Sequence, residues 1–405
     1  MNLRIKKNPL ARVAFSIFAL CLCLLASTAH ATAQEVVYEL VTNASQLVAG
    51  EKYIITNKEG TFAMGCQEAT YREAIDIEGK KKGNYIIDIP IPSKIGQKDK
   101  VYEITLGGKA GGWIFNDSIY SGYLHAAGKV KTTSNDNFLK TQANIDKTAK
   151  ASVAFKADRC VIKFAPNEKD IPNVLGYNAT WNRFSCYTSG FYANLYRKVK
   201  YIAQLSVSKY GYTTYTSQEY SYSMPEGCQG FVVTKENDGI KLTEKFKSGD
   251  AVPAKTPLLI KAEPGTYPIY QTVREAVAPA EGENLLRGEF DAEGNITYGW
   301  ENKDNYYYYK LTTQNKANFG FYFGAADGRP FKMSNTSRAY LVLPREQSSS
   351  VKSLVLDDAI LETAVSLPTE SKPTDGHTYD LSGRLCQGKL VPGIYIQNGR
   401  KIVVR

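Results

Sequence analysis

Residues able to carry covalent or acid–base chemistry are few in this chain of 405 residues. Only three histidines occur, His30, His125 and His377. The seven cysteines are Cys21, Cys23, Cys66, Cys160, Cys186, Cys228 and Cys386, and the last five are widely spaced with no Cys-x-x-Cys pair. A cysteine nucleophile would have to join His125 to Cys66, Cys160 or Cys186, in an electropositive and partly exposed setting. His125 lies in Tyr123-Leu124-His125-Ala126, which reads as a strand. A zinc site needs three or four His and Cys ligands, and their spacing here supplies none. Carboxylates are plentiful, as a two-carboxylate glycosidase requires, yet no pair stands apart from ordinary turn acids. Asp357-Asp358 falls in a connecting stretch, and Asp291-Ala292-Glu293-Gly294-Asn295 reads as a hairpin turn without the alternating ligands of a calcium loop. The phosphate-cradling Gly-x-x-x-x-Gly-Lys-Ser/Thr loop and the Gly-x-Ser-x-Gly elbow are both missing. No catalytic residue, metal ligand or cofactor is therefore assigned, and the expectation leans away from an enzyme.

Aromatic side chains are the remaining candidates. The chain holds 28 tyrosines and 3 tryptophans. Consecutive strand residues point to opposite faces, so about half of Tyr306-Tyr307-Tyr308-Tyr309 should face outward. Exposed rings suit a sugar or a protein partner, because they offer area at low entropic cost. Tyrosine also fills sheets by cross-strand packing. The candidate binding residues are Trp113, Tyr123, Tyr177, Trp181 and Tyr187 in the first half, with Trp300, Tyr307 and Tyr309 in the second.

The elements that must position these rings are strands throughout. Short apolar or alternating runs recur between Gly, Asn, Asp and Lys turns, a pattern of barrels and sandwiches. Residues 34–200 form a first domain with a threefold echo. Tyr53–Asn57 turns into Phe62–Gly65, Trp113–Asp117 into Tyr123–Ala126, and Val161–Phe164 into Val174–Tyr177. Three such units suit a β-trefoil; another closed β-barrel and a sandwich are the alternatives. Residues 201–345 form a second all-β domain, a sandwich or barrel. Residues 346–376 read as a linker, in which Ser353–Ala364 holds the one helical period. A short β-hairpin tail spans 377–405, marked by Asn398-Gly399 between two β-prone runs. Cys160 and Cys186 are the one pair placed to meet; otherwise the thiols read as small buried apolar groups.

The first 33 residues have the order of a secretory leader. Arg4, Lys6, Lys7 and Arg12 precede the apolar run Val13–Ala26, and small residues follow to Ala33. The run is shorter than the roughly 20 residues of a membrane span, and no later stretch is long and apolar enough. Cleavage removes four cations and no anion, lowering the net charge from +10 to +6. Lysines cluster only at Lys80-Lys81-Lys82 and at Lys198 with Lys200. Nucleic-acid binding would want a basic stripe; solvated lysines on strand edges explain these better.

The tail carries Tyr379-Asp380-Leu381-Ser382-Gly383-Arg384, then Pro392-Gly393-Ile394-Tyr395, then Gly399-Arg400-Lys401-Ile402-Val403-Val404. These blocks, in this order, resemble the C-terminal sorting domain of many secreted proteins of Bacteroidetes-type bacteria. The resemblance implies reading by a type IX secretion machinery through Tyr379, Asp380, Gly383, Arg384, Pro392, Gly393 and Tyr395. The two β-domains resemble secreted modules of the same bacteria, on Leu40-Val41-Thr42 through Lys52–Ile55, Arg183–Tyr187, Pro257–Lys261 and Pro264–Tyr267. Asp117-Ser118-Ile119 is similar to their short acceptor motif for O-glycosylation. The resulting expectation is an exported, cell-surface or extracellular binding protein of the adhesin type, with a glycan or a host or surface protein as partner. The competing readings are a secreted hydrolase acting on glycans or peptides and an accessory subunit of a surface assembly.

Overall fold

The computed structural model describes residues 36–128, 136–156, 159–165, 171–236, 239–280, 284–314, 318–347, 353–356, 365–366, 378–379, 385–386, 392–397 and 400–404. The expected leader, His377, Asp380, Gly383, Arg384 and Asn398-Gly399 lie outside them. The chain divides between Tyr201 and Ile202 into two compact units. Both are built almost wholly of antiparallel strands, as the turn chemistry predicts.

The first unit contains β1 (Val37–Leu40), β2 (Lys52–Thr56), β3 (Phe62–Gln67), β4 (Arg72–Asp76), β5 (Lys81–Lys82), β6 (Tyr85–Ile87), β7 (Ile104–Lys109) and β8 (Gly112–Asp117). It continues with β9 (Gly122–Ala126), β10 (Leu139–Gln142), β11 (Lys150–Lys156), β12 (Arg159–Phe164), β13 (Val174–Asn178), β14 (Arg183–Tyr187) and β15 (Asn194–Val199). Nine of these close a barrel in the order β8-β11-β12-β13-β14-β4-β3-β2-β7. An isolated bridge between Cys160 of β12 and Ala193, the residue before β15, brings these two strands together and shortens the circuit to a six-strand ring, β2-β7-β8-β11-β12-β15. The strands β2, β8 and β12 each run on into a paired hairpin, β3-β4, β9-β10 and β13-β14. Six ring strands with three hairpins are the threefold arrangement anticipated from the repeats.

The hairpins touch one another. Phe184 of β14 lies opposite Arg72 of β4, and the Leu139 amide of β10 donates to the Thr70 carbonyl at 2.9 Å. One core fills the barrel, drawing Ile55, Phe115 and Ile162 from the ring and Met64, Leu124 and Leu175 from the hairpins. The strand β5, which carries Lys81 and Lys82, ends the sheet, where lysine discourages further pairing.

The second unit is a β-sandwich. One five-stranded sheet runs Tyr212–Tyr215, Leu258–Lys261, Gln229–Glu236, Gly239–Phe246 and Val365–Ser366; the other runs Leu286–Arg287, Tyr340–Pro344, Tyr306–Gln314, Asn318–Phe323 and Ser353–Val355. Phe231, Val233 and Leu259 share a core with Tyr309, Phe321 and Leu341. Two short ribbons cover the first sheet's other face through Leu205, Tyr222 and Val252. That double cover explains why Leu258, Leu259 and Ile260 are all fully buried in sequence, a run rather than an alternation.

Two expectations for residues 346–376 change. Ser353–Val355 is a strand beside Asn318–Phe323, where a helix was anticipated, and Val365–Ser366 adds an edge to the other sheet. The apparent linker thus supplies strands, because Leu354 completes the sandwich core. The tail holds four strands in the order Leu385–Cys386, Thr378–Tyr379, Gly393–Gln397 and Arg400–Val404, where a single hairpin was expected. Its last pair sets Gln397 opposite Arg400.

Candidate aromatic binding face

The β13–β14 turn carries the most exposed aromatic side chain of the first unit, Trp181, at 67%. Local chemistry fixes this turn. The Asn178 Oδ1 accepts the Thr180 and Trp181 amides at 3.0 and 3.3 Å, and Asn182 takes a positive φ of 42°. An asparagine can do both at low cost. The Tyr177 hydroxyl then donates to Asn182 Oδ1 at 3.0 Å, tying the turn to its own strand.

Arg183 opens β14 two residues after Trp181, directly beyond the turn. Its guanidinium lies 5.5 Å from the Trp181 ring centre and 5.1 Å from that of Tyr71. Such contacts are worth about 0.5–1 kcal/mol each at exposed sites. Arg183 reaches Tyr71 because β14 pairs with β4, with Arg183 opposite Glu73. Beside this stack, Tyr177 lies against Phe62 at 5.1 Å and nearly parallel. The Arg183 Nε is buried and lacks a hydrogen-bond partner. The result is a half-exposed ladder of Tyr71, Arg183 and Trp181, offering ring faces and a cation.

Under the ladder lies a charge lock. Arg72, next to Tyr71, points inward and forms a 2.7 Å ion pair with Asp117; neither side chain is exposed. Arg72 also donates to Thr141 Oγ1 at 2.6 Å and faces the Tyr120 ring at 4.7 Å. Asp117 accepts the Ile119 and Tyr120 amides at 3.0 and 3.2 Å, closing the β8–β9 turn. The resemblance to an O-glycosylation motif thus rests on a buried aspartate beside an exposed Ser118.

The structure separates the other sequence-predicted rings. Trp113, Tyr187 and Tyr309 are buried, which removes them from any accessible face. Trp113 points into the barrel beside Phe115, and Tyr309 into the sandwich core. Burial pushes the Tyr187 hydroxyl up from its usual pKa, with Arg183 pulling it down. Tyr123 and Tyr307 are half-buried, the latter stacked on Phe323 at 5.3 Å and facing Arg345 at 4.5 Å. The outward half of Tyr306–Tyr309 is not found: Tyr308 and Tyr309 are both fully buried, on opposite faces. Trp300 is 53% exposed, after a left-handed Gly299, with Lys303 4.6 Å from its ring. In the tail, Tyr395 is buried and Pro392 exposed, Gly393 opens a strand and Tyr379 closes one.

Tyr71, Phe62 and Arg183 were missed as ligand-facing candidates. Arg183 was detectable as the residue two positions after Trp181; Tyr71 required the non-local β4–β14 pairing. The thiols expected to be small buried groups are so at Cys66, Cys160, Cys186 and Cys228. Cys160 and Cys186 do not bridge, and burial pushes both thiols well above the usual range. His125 sits half-buried near Thr148 Oγ1 at 3.3 Å, and burial lowers its pKa. Asp291 spends its carboxylate on the Glu293 and Asn295 amides at 2.9 and 2.8 Å, as a hairpin turn requires. Among the described residues no cluster of three metal-ligating side chains forms, and no helix is long and apolar enough to cross a membrane. No family model matches the chain, and neither does any curated protein.

Proposed function

We propose that this is an exported, non-catalytic glycan-binding protein, held at the cell surface through its C-terminal segment, with the Tyr71–Arg183–Trp181 ladder as its binding face. The observation that carries the reading is Trp181 itself, a large ring left in solvent yet fixed by an Asx turn and a stacked arginine. A ring held this way loses little freedom when a sugar stacks on it, and preorganisation converts directly into affinity. Arg183 adds donors for sugar hydroxyls at the edge of the stacked ring. The leader and the tail motifs supply the export half of the reading.

Glycan-array binding by the full chain tests it, with Trp181→Ala as the paired variant. We expect a discrete set of glycans to bind and Trp181→Ala to weaken them at least tenfold, a loss of about 1.4 kcal/mol. Stability should stay within about 0.5 kcal/mol, as for an exposed side chain. A chain that binds no glycan, or a variant that binds equally well, overturns the proposal.

A further inference from the structure

The second unit has an open cleft of about 220 Å³ between the strand Tyr201–Val207, the strand Tyr212–Tyr215 and the second sheet. It shares no residue with the Trp181 face. Its only charged lining residue is Arg338. This arginine is half-buried, and burial lowers its pKa with no charged group contributing. Among the described residues no carboxylate lies within ion-pair distance of it. Its one side-chain hydrogen bond runs from Nη1 to the Thr214 carbonyl at 3.3 Å.

Arg338 is held in place from behind. The Thr214 hydroxyl donates to the Ala339 carbonyl at 2.9 Å and accepts the Ala339 amide at 3.0 Å. The Thr216 amide donates to the Ser337 carbonyl at 2.9 Å. Residues on both sides of Arg338 are thereby clamped to the neighbouring strand. A guanidinium kept partly out of water, fixed, and given one backbone acceptor leaves donors in a fork that matches a carboxylate. Removing such a charge from water without an anion costs stability, and a bound anion recovers it.

The rest of the lining selects among anions. Ser206 and Ser208 present hydroxyls from one side at the exposed rim, with Thr213 deeper. Leu311, Phe319 and Met333 form an apolar wall, and Tyr210 stacks on Phe319 at 4.8 Å and 4°. A volume below the about 300–1,000 Å³ of a drug-sized site admits one small ring. Hydroxyls, an apolar wall and an unpaired arginine together match a sugar ring bearing a carboxylate.

We infer that the Arg338 cleft binds an acidic sugar residue, with Arg338 taking the carboxylate, Ser206 and Ser208 the ring hydroxyls, and Phe319 the apolar ring face. The proposal stands apart from the Trp181 reading, and Trp181→Ala serves as the control that separates them. The experiment is titration of the full chain, followed by NMR or calorimetry, with glucuronate, N-acetylneuraminate, glucose and acetate. At least one acidic sugar should bind tenfold or more tighter than glucose and acetate. Arg338→Gln should remove that preference, Arg338→Lys should keep part of it, and Trp181→Ala should leave it intact. Ser206→Tyr, at an exposed rim position, should block the cleft without touching the core. The proposal fails if neither acidic sugar binds, if glucose or acetate binds equally well, or if Arg338→Gln and Ser206→Tyr both bind like the unmodified chain.

Discussion

The two units handle arginine in opposite ways. In the first, Arg72 is sealed inside with Asp117, and Arg183 lies between two rings at the surface. In the second, Arg338 is half-buried in a cleft whose described lining holds no carboxylate. Aromatic rings show the reverse trade. The first unit leaves Trp181 in solvent on a hairpin turn, whereas the sandwich strand Tyr306–Gln314 buries Tyr308 and Tyr309 on both its faces, and the exposed Trp300 of the second unit lies outside its sheets. The difference follows from architecture. Hairpin turns of a threefold barrel end in water, so a ring there stays accessible. A sheet covered on both faces has no free side, so rings on its strands are buried whichever way they point.

Breaking the Arg72–Asp117 pair should give the largest effect. Arg72→Met or Asp117→Leu alone should destabilise the first unit by about 3–5 kcal/mol, while the double variant recovers much of the loss. Hydrogen exchange, which reads the units separately, would show it; equal loss in single and double variants would discard the coupling. Among the described residues of the sandwich no buried ion pair forms, so packing should dominate. Tyr309→Ala should cost about 3 kcal/mol or more, against less for half-buried Tyr307→Ala. Urea unfolding with exchange detection distinguishes them, and a reversed order would place the core elsewhere.

Salt should divide the two binding faces next. Acidic-sugar binding at Arg338 should weaken several-fold between low and high ionic strength, because its attraction is electrostatic. Glycan binding at Trp181 should change little. Parallel salt curves would mean that both faces use the same chemistry.

The smallest effect is a pH dependence in the first unit. Burial pushes the Glu103 carboxyl up, yet contacts from Lys198 at 2.7 Å, Tyr38 at 2.5 Å and Lys52 at 2.9 Å outweigh it and leave the pKa below the usual value. A folded pKa below the unfolded value of about 4.3 stabilises the fold above that value. The contribution is lost as pH falls through the folded pKa. The first unit should therefore lose stability below about pH 4, and Glu103→Gln should flatten that fall. A variant whose acid profile matches the original would remove Glu103 from the account.

Much of the fold was legible because turns and repeats are local. The three hairpins, the lysine-bearing edge and the Asp291 turn follow from residue types within a few positions. Burial was less legible. Alternation implies one wet face, and the strand Tyr306–Gln314 has none along its tyrosines, so adjacent Tyr308 and Tyr309 could not be sorted by period. The run Leu258-Leu259-Ile260 was the available sign that the sandwich is covered twice. Trp113 was misplaced for a different reason: its position in a barrel strand matched the pattern of a surface ring as well as that of a core one. Arg72 and Arg338 were invisible, since an arginine in a strand or loop reads as solvated until non-local pairing shows what surrounds it.

Arg72 has one more consequence. The second strands of the three hairpins bring Arg72, Leu139 and Phe184 toward one another, two apolar residues and one cation. Three hairpins of similar shape and apolar lining could otherwise dock in rotated order at lower cost. A buried cation paired with Asp117 at the end of β8 makes one of the three positions unlike the others. It works as a key that fits a single slot, because any rotated docking would leave the buried guanidinium facing apolar groups in place of its carboxylate.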